Sequence, residues 1–240
     1  MPATAELFHA PPALSAVACQ PKDPNVNRRD FSAALLSTGA SAAALSWAPM
    51  AFAQGEPVEG KQFVKVEPPV PPLAPGKIEV LEFFSYACPH CNAFEPTLEA
   101  WTKKLPADVG FRRVPAPFLA NAENFMRTYY TLETMNQVAT MQRKVFAAVH
   151  VDHQYLDKPA DIAALAGKNG LDAAKFLDTF NSFSVATSVA RAKKLAAAYK
   201  LDSVPLLAVN GRYVTSPAQA GGPDQALAVV DALIQRARKG

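Results

Sequence analysis

Ile78-Glu-Val-Leu-Glu-Phe-Phe84-Ser-Tyr-Ala-Cys88-Pro-His-Cys91 joins two signals that together fix the fold class. Its first seven residues are a nearly continuous apolar run of strand length, the pattern of a strand covered on both faces as in a parallel α/β sheet. From Cys88 the spacing turns helical. Cys91, Phe94, Leu98 and Trp101 recur at three- and four-residue intervals to about Leu105, with Pro96 inside the run and a kink expected there. A pair of cysteines three positions apart therefore sits where a strand passes into a helix.

Working outward, Gln62-Phe-Val-Lys-Val66 alternates like a short edge strand, and the prolines from Pro68 to Pro75 cannot join a ladder, so residues 54–75 read as an extended linker carrying an edge strand. Val109 to Val114 returns to strand composition before Pro115 and Pro117 stop it. Asn121 to about Tyr199 holds several helical patterns and no convincing strand, with Pro159 and Gly170 as punctuation. Leu206 to Val209 and Arg212 to Thr215 flank Asn210-Gly211, a strong hairpin turn signal. Pro223 opens a final amphipathic helix whose Ala226, Leu227, Val230, Leu233 and Ile234 form one stripe. The expected fold is α/β, with residues 62–118 and 200–240 forming one sheet-containing domain and residues 119–199 an all-helical insertion.

The 240 residues are 50% hydrophobic and 19% charged, with a formal net charge of +3, which excludes fibrous and fully disordered classes. No basic run marks a nucleic-acid surface. Residues 1–53 read as a cleavable export signal: Arg28-Arg29 and Phe31 precede a mildly apolar Ala/Leu/Ser stretch, and Ala51-Phe-Ala53 is an A-x-A cleavage site. The paired arginines resemble the twin-arginine type. An uncleaved membrane anchor is the alternative, weakened by the many Ala and Ser residues and the scarcity of Leu. Cleavage removes Cys19 and leaves Cys88 and Cys91 in an oxidising space, where two cysteines so close together are unsuited to mere packing.

A C-x-x-C at the start of a helix brings both sulfurs within bonding reach and leaves the first facing solvent. Unpaired N–H groups and the positive end of the helix dipole favour a thiolate at Cys88. His90 adds a donor or a positive charge, and Pro89 suits the first turn. Only the reduced state carries the anion, so stabilising the anion makes the disulfide state the stronger oxidant.

Phe83-Phe84-Ser85-Tyr86-Ala87-Cys88-Pro89-His90-Cys91 resembles the active-site segment of periplasmic disulfide oxidases of the DsbA type, within the thioredoxin superfamily. The resemblance covers nearly all of residues 62–239 and implies a thioredoxin-like fold interrupted by a helical domain. It implies an enzyme that donates a Cys88–Cys91 disulfide to exported proteins with free thiols, through a mixed disulfide at Cys88, and is then reoxidised by a quinone-linked membrane partner of the DsbB type. It further implies a periplasmic monomer needing no metal, nucleotide or flavin. Val204-Pro205, just before the Leu206 strand, matches the superfamily's cis-proline loop, where Val204 pairs with a substrate strand.

Glu82 is a charge in a strand covered on both faces and needs a reason to be there. The resemblance suggests an acid that passes a proton to and from Cys91; an edge-facing carboxylate, or one paired with a base such as Arg113, is the other reading. Family members often pair this acid with a lysine, and no lysine here is assigned that place. An isomerase or reductase with the same residues is the near alternative, although residues 54–75 are too short for the extra domain of dimerising isomerases. An exported metal carrier using the C-P-H-C motif is an alternative of another class, with the handicap that zinc wants four ligands and there is no second C-x-x-C. His150 and His153 read as a solvated helix end, Arg191, Lys193 and Lys194 as a charged helix face, and Phe125, Tyr129 and Tyr130 as core.

Overall fold

The computed structural model describes residues 55–72 and 76–240. The export-signal reading of residues 1–53 lies outside the described residues. Among those described, five strands form one mixed sheet in the order β1-β5-β4-β2-β3. They are β1 (Val64–Lys65), β2 (Ile78–Phe84), β3 (Val109–Pro115), β4 (Leu206–Val209) and β5 (Tyr213–Thr215). β2 and β3 run parallel and are joined by helix α1 (Pro89–Thr102), while β2–β4, β4–β5 and β5–β1 are antiparallel. Every residue of β2 after Ile78 is buried, as its unbroken apolar run requires.

Helices cover both faces. Val80, Leu207 and Val209 pack with Phe94 and Leu98 of α1 and with the stripe Ala226, Leu227, Val230, Leu233 and Ile234 of α8 (Pro223–Arg238). Leu81, Phe83 and Ala208 face the other way, toward helices inserted between β3 and β4. These are α2 (Ala122–Thr134), α3 (Val138–His150), α4 (Pro159–Lys168), α5 (Ala173–Phe180) and α6 (Phe183–Ala198), and a one-turn helix α7 (Pro217–Ala220) follows β5. Phe125, Tyr129 and Tyr130 are buried in this second core, as their spacing suggested; Tyr129 and Tyr86 both meet Phe84 edge-on. Burying rings such as Phe83 and Phe84 contributes about 2–3 kcal/mol each.

Several boundaries differ from the sequence reading. The first helix stops at Thr102 rather than near Leu105, and continues through Pro96, which leaves one amide position without a donor. The edge strand narrows to Val64–Lys65, the two residues that pair with β5, while the fully buried Phe63 forms an isolated bridge with Glu59. Residues 66 and 70 donate backbone hydrogen bonds to Arg212 and Gly211, so the proline-rich stretch lies along the β4–β5 turn. Gly211 is obligatory there: its φ is +66°, and a Cβ at that position would collide with Val70 O.

Candidate functional site

Cys88 is the N-cap of α1 and, at 5% exposure, is nearly buried rather than facing solvent as the motif suggested. Its backbone is extended, at φ −90° and ψ 115°, and its Sγ accepts the Cys91 backbone N–H at 3.4 Å. Pro89 takes the first helical position, where no N–H is missed. A sulfur here fills the role usually given to an Asp or Ser oxygen, and an anionic sulfur fills it better than a neutral one. The first turn of α1 contains no acidic residue to oppose that charge.

The two thiols are driven in opposite directions. A hydrogen bond from the Cys91 thiol, working against burial and assisted by the Cys91 and His90 amides and by the charge of His90, lowers Cys88 to about 6. Burial, the hydrogen bond given to Cys88 and the charge of Glu82 push Cys91 far above the ordinary cysteine range. Cys88 is thus poised to ionise at neutral pH while Cys91 keeps its proton. His90 lies exposed beside them on α1.

The Val204–Pro205 bond is cis, and in the thiol form Cys88 Sγ donates to Val204 O at 3.4 Å. This places the start of β4 directly against the redox pair, with Pro205 buried and Val204 partly open.

Glu82 is fully buried in β2 rather than facing an edge, and it is paired: Arg113 Nε donates to Glu82 Oε2 at 3.0 Å. The parallel register sets the two residues side by side. The same guanidinium reaches Glu95 Oε1 of α1 at 2.6 Å, so two carboxylates share one cation. Burial, opposed by Arg113 and reinforced by the Glu95 charge, raises Glu82 to about 8.

Three participants escaped the sequence reading. Glu95 follows Cys91 by four residues and therefore lies on the same helix face, a usable signal. Gln142 of α3 donates to Glu95 Oε2 at 3.4 Å and accepts from the Tyr86 hydroxyl at 2.6 Å. His150, read as part of a solvated helix end, is instead partly buried; its Nε2 lies 2.8 Å from Tyr86 O and its ring stacks on Phe146, while Asp152 and His153 are exposed. The α3 helix brings these groups in from the insertion, and no local spacing announces it. Arg191, Lys193 and Lys194 form the exposed face of α6 that was expected. Among the described residues, no group of three or more His, Cys, Asp or Glu side chains could hold a metal ion, and no helix is long and apolar enough to cross a membrane.

The DSBA-like thioredoxin domain matches residues 79–227. The chain belongs to this family. It is 45% identical over 206 residues to the thiol:disulfide interchange protein DsbA of Bordetella parapertussis, covering 85% of this chain and 96% of that one. It is 44% identical over 179 residues to the protein of the same name from Pseudomonas aeruginosa, covering 75% and 85%. Among solved structures, Pseudomonas aeruginosa DsbA superposes with a TM-score of 0.74 at 43% identity over 76% of this chain and 95% of that one. The oxidoreductase DsbA from Xylella fastidiosa gives 0.71 at 31% over 78% and 100%.

Proposed function

We propose that this DsbA-family thiol–disulfide oxidoreductase works as a dithiol oxidase on exported proteins. A substrate thiolate attacks Cys88 Sγ of the Cys88–Cys91 disulfide. A mixed disulfide forms, the bond between the two cysteines breaks, and the electron pair leaves on Cys91 Sγ. A second substrate thiolate then attacks the substrate sulfur, and Cys88 departs as a thiolate. The client gains a disulfide and the enzyme holds two more electrons. The observation that carries this reading is Cys88 Sγ capping α1 as acceptor of the Cys91 N–H, a placement that lowers Cys88 to about 6 while burial raises Cys91. An anion present only in the reduced state favours reduction of the enzyme, and hence oxidation of the client.

In this reading, Glu82 supplies the proton that Cys91 takes up on leaving and receives it back on reoxidation. Val204 offers backbone groups to an extended client segment, and Pro89 and His90 shape the cap. Residues 1–53 direct export to the periplasm and are removed, a membrane quinone-linked protein of the DsbB type restores the disulfide, and the enzyme acts as a monomer. Residues 62–118 with 200–240 form the redox domain, and 119–199 the helical domain.

Equilibrating the protein with mixtures of reduced and oxidised glutathione tests the direction. The expected result is a potential well above the roughly −270 mV of thioredoxin. A potential at or below that value would turn the assignment to a reductase.

A further inference from the structure

Two buried carboxylates compete for one guanidinium, and the groups around them are unequal. Glu95 receives two donors, Arg113 Nη2 at 2.6 Å and Gln142 Nε2 at 3.4 Å. Glu82 receives one, Arg113 Nε on Oε2, while its Oε1 is fully buried and has no hydrogen-bond partner. A bare, charged carboxylate oxygen in that setting costs far more than a neutral, protonated one. Arg113 keeps its charge throughout, so the trio holds a single cation against two acids.

We propose that Gln142, oriented by Tyr86, is a positioning residue that keeps Glu95 ionised and so assigns the proton shared by the two acids to Glu82 Oε1. The orientation follows from donor chemistry. The Tyr86 hydroxyl, which burial holds protonated, donates to Gln142 Oε1 and leaves Nε2 to face Glu95. A carboxylate offered two donors stays ionised at the expense of one offered a single donor. The charge of Glu95 then presses on Glu82, reinforcing the division. The other ionisable groups bearing on the pair are Cys88 and Cys91 of the redox motif, Tyr86 and Tyr129, which stay neutral, and Glu99 and Arg143, which act on Glu95 with opposite signs. The helical insertion thereby sets the protonation of the sheet's buried acid through one amide. The proposal rests on the reading in which Glu82 exchanges its proton with Cys91; when that happens the proton passes from Oε1 to sulfur and no electrons move.

Carboxyl-carbon NMR of reduced protein labelled at glutamate, titrated across neutral and alkaline pH, tests it. In the wild type, Glu82 is expected to titrate near 8, and Glu95, although burial raises it as well, to ionise before Glu82. In Gln142→Leu the Glu95 midpoint is expected to rise by about 1 pH unit and that of Glu82 to fall. Tyr86→Phe, which keeps the ring, should move both in the same directions by less, and decides the matter if Gln142→Leu does not fold. Unchanged midpoints in a folded variant, or a wild type in which Glu95 is the acid that stays protonated, would overturn the proposal. Cys91 alkylation in Cys88→Ser, followed against pH, separates the two claims. If its profile ignores Glu82 while the carboxyl midpoints behave as expected, proton exchange with Cys91 is refuted and the assignment by Gln142 stands.

Discussion

At Cys88 the sulfur that caps α1 is also the sulfur proposed to react, so substitutions there separate structure from chemistry. Cys88→Ser keeps a cap acceptor and Cys88→Ala does not; chemical denaturation is expected to find the alanine variant less stable by about 1 kcal/mol. Replacing His90 with Ala removes a nearby positive charge and should raise the Cys88 midpoint, read from ultraviolet thiolate absorbance, by about 1 pH unit or less. Glu82 works in the opposite sense. Its carboxyl is raised in the folded state to about 8 from the ordinary 4.5, so between those values the native state binds more protons than the unfolded one. Its contribution therefore falls as pH rises through that window, with a slope of up to about 1.4 kcal/mol per pH unit. Glu82→Gln should be more stable than the wild type near pH 8 and lose that advantage toward pH 4.5, as urea unfolding at a series of pH values would show.

The elements that carry the redox pair were legible because their signals are local. The apolar run of β2 marks a doubly covered strand, the C-x-x-C with proline marks a helix start, and Asn210-Gly211 marks the β4–β5 turn, where both residues adopt positive φ. The supporting groups were not legible for a physical reason. Arg113 becomes the partner of Glu82 only through the parallel register of β2 and β3, and Gln142 and His150 reach the site only because α3 packs beside α1. Such contacts depend on tertiary placement, which a periodicity in one segment cannot encode. The same holds where α1 meets α8: Trp101 Nε1 donates to Asp231 at 3.0 Å and its ring meets Phe111. Trp101→Phe keeps much of the ring packing and loses the donor, and thermal or denaturant unfolding is expected to register a cost of about 1 kcal/mol.

Across the whole molecule, the redox state and the stability of the fold are linked through a single charge. In the reduced protein Cys88 is lowered to about 6 from the ordinary 9.0, so stability from this group is complete above pH 9 and is lost as pH falls through 6. The oxidised protein has no such thiol, whereas Glu82 is present in both states. The melting temperature of the reduced form relative to the oxidised form should therefore climb between pH 6 and pH 9, a comparison calorimetry makes on one sample before and after reduction. The proposed oxidase chemistry depends on an ionised Cys88 in the folded, reduced protein. Iodoacetamide alkylation rates at Cys88, followed from acid to alkaline pH with Cys91 buried beside it, test that most directly. A rate profile with its midpoint near 6 is the expected result; a midpoint near 9, the behaviour of an unassisted thiol, would contradict it.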